Sequence, residues 1–194
     1  MINKFCPSPD DLKKAIEDHI HYEIQQLIVA LKTLPQIDST MLESALIHVR
    51  ILRHFFEKKK RSRRKRNDDK DEQDDVLSKD YEFPASPIKW PIDIEEYGTR
   101  LNKDLAHLTY SRVAHKDWPV SDIALPVLQR CEDFAKYLIS EHLQTKYHEL
   151  PELHDKWRRL QGEITSAVQR LEGTHYSAAT PCSVELGKPP IKKE

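Results

Sequence analysis

Apolar residues recur along this chain at intervals of three and four, and each run is closed by a proline, a glycine or a charged block. Leu12, Ile16, Ile20, Ile24, Leu27, Leu31 and Leu34 form the first stripe. Ser8 stands ahead of it as a helix N-cap, Pro9 follows in the first turn, and Pro35 stops the run. Leu42, Ala45, Leu46, Val49, Leu52 and Phe56 form the second, with Thr40 to Glu43 in capping-box form at its start. Ile94, Tyr97, Leu101, Leu105 and Leu108 form the third, in a helix that Pro91 opens and that runs to about Val113. A fourth runs from about Ser121 to His142, with Ile123, Val127, Leu128, Cys131, Phe134, Ala135, Leu138 and Ile139 inward. Pro126 either starts that helix or kinks it. Leu153, Trp157, Leu160, Ile164, Ala167 or Val168, and Leu171 form a fifth, opened by Pro151 and ended by Gly173.

Five amphipathic helices with short connections predict an all-α fold: an antiparallel bundle of four to five helices with a charged loop insertion. The expected division is a flexible lead-in at 1–7, the bundle domain at 8–173 and a flexible tail at 174–194. Within the domain, residues 58–89 make a charged loop followed by a connection rich in aromatics and proline. The fifth helix is either a bundle member or a partner-binding arm.

Charge alters the picture at one place. Residues 58–66 carry eight positive charges in nine positions, and residues 67–75 answer with six acids. So dense a pair of blocks does not build a core, so it is expected to be an exposed insertion. It is either self-neutralising or a contact for a nucleic-acid backbone. Over the whole chain the net charge is only −1, so nucleic-acid binding would need a local patch. Cys6, Cys131 and Cys182 are scattered and odd in number, which favours a reducing, cytoplasmic setting over a disulfide framework. No apolar run reaches the roughly 18 residues of a membrane span, so no membrane partner is expected. Phosphate-loop, zinc and nucleophile-elbow motifs are lacking, so no cofactor and no metal site is expected.

Candidate chemistry gathers on the third helix. Arg100 and His107 are about two turns apart and stack beside the apolar stripe, near Asp104, Ser111 and His115. Arginine forks onto phosphate oxygens, and histidine titrates near neutrality and moves protons. On the second helix, Arg50 and His54 are one turn apart and are candidates to line the same polar cleft.

Arg100, six residues and then His107, late in a helical chain, resembles the signature of the HEPN superfamily. The text from Asn102 to Tyr110, with Trp118 beyond it, is also similar to an uncharacterised bacterial branch with HEPN-like helices. The resemblance covers roughly residues 8–145. It implies a metal-independent endoribonuclease of toxin–antitoxin or phage-defence type, acting on RNA in a cleft between the subunits of a homodimer. Arg100 would steady the scissile phosphate and His107 would be the general acid or base. Asn102 and Tyr110 would contact substrate, with Arg50 and His54 at its border. An antitoxin or another protein partner is implied as well. The alternative is a non-catalytic helical interaction module, in which Arg100 pairs within its own helix and His107 bonds a neighbouring element.

Overall fold

The computed structural model describes residues 7–58, 75–84, 86–103 and 117–179. The charged blocks between 59 and 74, the stretch 104–116 and the end of the chain from 180 lie outside the described residues.

Helix α1 (Pro9–Lys14) passes through a single π turn (Ala15–His19) into α2 (Ile20–Leu31). Ser8 caps it as expected. Its hydroxyl accepts from the Asp11 amide at 3.1 Å, and the Asp11 carboxylate accepts from the Ser8 amide. These hydrogen bonds, the one from the Ser8 hydroxyl foremost, hold the Asp11 carboxyl below the usual carboxylate range. A π turn disturbs the regular bonding pattern. Here the Glu17 carbonyl, inside that turn, accepts from Lys156 of the last helix.

Helix α3 (Ser39–Glu57) is capped by Asp38, whose carboxylate accepts from the Met41 amide at 2.8 Å. This differs from the expected start at Thr40. A carboxylate satisfies the open amide and also meets the positive end of the helix dipole. The stripe drifts at its far end, where Phe55 is buried and Phe56 half-buried beside it. Helix α4 (Ile94–Lys103) starts three residues after Pro91.

Helix α5 (Val120–Tyr137) runs through Pro126, then through a second π turn (Leu138–His142) into the short α6 (Leu143–Lys146). Helix α7 (Pro151–Leu171) begins on proline, and Gly173 follows its end at φ +73°, a left-handed conformation that glycine adopts without strain.

Packing closes a ring. α2 lies against α3 and α7, and α5 lies against the same two, which makes an all-α antiparallel four-helix bundle with α4 laid on α3. Phe134 of α5 is at its centre, with Phe55 and Phe83 each 5.2 Å away, Tyr81 at 5.7 Å and Trp157 at 6.0 Å. Burying each such side chain is worth roughly 1.5–3 kcal/mol, so this aromatic centre carries much of the cohesion. The segments 75–84 and 86–90 pack over the bundle. Leu77, Tyr81, Phe83 and Ile88 are buried, and the Tyr81 hydroxyl donates to the Leu12 carbonyl at 3.0 Å.

Strand β1 (Asp117–Pro119) pairs antiparallel with β2 (Ser177–Ala179), Trp118 opposite Ala178. The Tyr176 amide also donates to the Ser121 hydroxyl at 2.9 Å. These bonds bring 176–179 back onto the start of α5. Among the described residues, no helix is long and apolar enough to cross a membrane.

Candidate functional site

Arg100 sits on α4 with Tyr97 one turn before it, and both reach toward β1. Its guanidinium carbon lies 4.0 Å from the centre of the Trp118 ring and 5.1 Å from that of Tyr97. Both terminal nitrogens donate to the Asp117 carbonyl, at 3.3 and 3.4 Å. Arg100 is 8% exposed and Trp118 1%. The planar cation therefore faces an indole and a backbone carbonyl, away from solvent. A cation stacked on indole in a desolvated site is worth about 2 kcal/mol. This arrangement fastens α4 to β1, and through the β1–β2 pairing to the residues that follow α7.

Asn102 lies two residues further along α4, and its side chain lies outside the described residues. The same holds for all of His107, Tyr110, Asp104, Ser111 and His115.

Arg50 and His54 occupy one side of α3. His54 is held below the usual imidazole range, first by burial and then by the charges of Lys58, Arg50 and Arg53, with Asp75 opposing. It lines a cavity of about 290 Å³ together with His19, Glu23, Lys58 and Asp75 above an apolar floor that includes Leu52 and Phe55. Lys58 and Asp75 bridge at 2.8 Å, joining the first residue of the basic block to the last of the acidic block. Neither Arg50 nor Arg100 is among the residues that line this cavity, and His107 lies outside the described residues.

Three groupings escape periodicity. Arg53 binds Glu57 at 2.7 Å and lies over Trp90, whose indole N–H donates to Glu57 at 3.0 Å. A Cβ on Gly98 would come within 2.4 Å of the Arg53 guanidinium, so glycine there lets α4 approach α3. A glycine inside a helical stripe was the available signal. His21 stands edge-on to Trp157 at 5.9 Å, and burial, then the charge of Lys156, pushes its imidazole down to about 4. His142 is buried between Tyr81 and Tyr147, at 5.4 and 5.8 Å, and burial lowers it too. Cys131 is fully buried and burial raises its thiol far above the ordinary range, which suits a core residue and not a nucleophile. Among the described residues, no group of three His, Cys, Asp or Glu is arranged to hold a metal ion.

The chain matches no family model, no curated protein and no solved structure.

Proposed function

We propose that this chain is a non-catalytic helical binding module, with Arg100 as the fastening between α4 and β1. The observation that supports it is the burial of the Arg100 guanidinium on Trp118 and the Asp117 carbonyl. An arginine that grips a phosphate needs its fork turned to the ligand. The test is RNA cleavage in EDTA by wild type beside Arg100→Ala and His107→Ala. The module reading expects no cleavage by any of the three.

A second reading is a HEPN-type, metal-independent endoribonuclease in toxin or phage defence, with RNA as substrate. Arg100 and His107 would be catalytic across a homodimer interface, with Asn102, Tyr110, Arg50 and His54 toward the substrate. An antitoxin or other protein partner belongs to it, and a cytoplasmic location goes with either reading. Its supports are the Arg-x6-His spacing and the state of His54. That imidazole is held below its ordinary range, chiefly by burial, in a largely apolar cavity that also holds His19, Glu23, Lys58 and Asp75, a setting in which a histidine can exchange a proton. In this reading the wild type cleaves RNA in EDTA, leaves a 2′,3′-cyclic phosphate, and sediments as a dimer.

A further inference from the structure

A second cavity, of about 540 Å³, opens between the end of α3 and residues 78–83 and 86–87. That volume falls inside the range of roughly 300–1,000 Å³ found for small-molecule sites. Phe56, Phe83 and Pro87 supply its apolar lining among the described residues. The centres of the two phenyl rings are 6.2 Å apart and the rings are tilted by 56°, so they form a corner. A flat aromatic body seated there can lie along one ring and turn its edge to the other, the two arrangements that aromatic pairs favour.

The charged groups of the lining are already engaged. Glu57 accepts from Arg53 at 2.7 Å and from the Trp90 indole at 3.0 Å. Lys58 bridges to Asp75 at 2.8 Å, and Lys79 has an interaction of its own. An ion brought into the cavity would lose hydration and meet no open counter-charge among the described residues, so the site favours a neutral body. One polar group stands differently. Ser78 lines the cavity and is 8% exposed, and among the described residues its hydroxyl is hydrogen-bonded to no other group. A hydroxyl withdrawn from water without a partner is costly, so a ligand group that meets it gains more than it would at a wet surface. That hydroxyl can both donate and accept.

We infer that this cavity binds an uncharged two-ring aromatic molecule that carries one hydroxyl, its rings in the Phe56–Phe83 corner and its hydroxyl on Ser78. The inference rests on reading the chain as a binding module and names the class of ligand. Titration of the full chain followed by ligand-observed NMR tests it, with 2-naphthol as the probe. The comparisons are 2-methylnaphthalene, which has a methyl in place of the hydroxyl, and two ions of similar shape, 2-naphthoate and 2-naphthylmethylammonium. The naphthol should bind more tightly than about 1 mM, and each ion about tenfold more weakly than the naphthol. Ser78→Ala should weaken the naphthol about three- to tenfold, the scale of one hydrogen bond, and leave 2-methylnaphthalene unchanged. A serine with only a structural role would not separate those two ligands. Ser86→Trp, at an exposed position on the lining, should fill the cavity and abolish binding while the melting temperature stays unchanged. Absence of naphthol binding, an ion that binds as tightly, a Ser78→Ala effect that is nil or equal for both neutral ligands, or undiminished binding by Ser86→Trp would each overturn the assignment. RNA cleavage that depends on Arg100 would overturn the module reading instead, and the titrations do not measure it.

Discussion

The guanidinium of Arg100 lies over the indole of Trp118, its carbon 4.0 Å from the ring centre. The two residues come from elements that periodicity reads separately, a helix and the turn after it. Their contact makes α4 part of the packed structure. Arg100→Ala removes the stack and two charge-assisted hydrogen bonds, for a loss of about 2–4 kcal/mol. Arg100→Lys keeps the charge but not the planar fork, and should recover less than half of that loss. Urea denaturation of the three proteins checks the order.

Gly98 and Arg53 should be energetically coupled. Alanine inside a helix is favoured over glycine by about 1 kcal/mol where there is room for its methyl group. At Gly98 the added methyl would displace the Arg53 guanidinium from Glu57 and Trp90. Gly98→Ala should therefore stabilise an Arg53→Ala background by about 1 kcal/mol and fail to stabilise the wild type. Equal effects in both backgrounds would remove the proposed close approach.

The start of α3 is testable at two positions. Asp38→Ala should cost about 0.5–2 kcal/mol, the usual range for a lost N-cap. Thr40→Ala should change stability by less than about 0.5 kcal/mol. The reverse order, read from thermal melts, would restore Thr40 as the cap.

Stability should fall as the solution is acidified, with His21 as a main cause. Its imidazole is pushed down to about 4 in the folded chain, against 6.5 as its ordinary value. Between those values the unfolded chain binds the proton and the folded chain does not, so stability rises with pH across the window. It is fully present above about 6.5 and is lost on descending toward 4. Half-burial at this position discounts the effect to roughly 1–2 kcal/mol. His54 and His142, also lowered mainly by burial, add in the same direction. Denaturation curves at several pH values should show a shallower slope for His21→Gln.

The helices and most of their inward faces were legible because a 3.6-residue period is local information. Ser8 and Pro9 announced the first cap, and Pro151 the last helix. Thr40 misled because two acceptors, Asp38 and Thr40, stand near one helix start, and it is the Asp38 carboxylate that accepts from the Met41 amide. Phe55 is the more buried of the pair and meets Tyr81 and Phe134, while Phe56, half-buried, meets Phe83 and Phe134, contacts with other elements that the stripe alone does not specify. The return of β2 to β1 joins residues about sixty positions apart, and no spacing rule reaches that far. Arg100 was legible as a candidate from its spacing on the helix, but its contact with Trp118 was not. Trp118 reaches it only in the folded chain. His107 and Tyr110 lie outside the described residues.

The most direct measurement is cleavage of a labelled single-stranded RNA in EDTA by wild type and Arg100→Ala, with melting temperatures taken on the same samples. The binding-module account predicts no cleavage by either protein. It also predicts a lower melting temperature for the variant, by roughly 2–4 °C for each kcal/mol lost. Cleavage by the wild type, lost by about 100-fold or more in a variant that melts like the wild type, would contradict it and make Arg100 a catalytic residue.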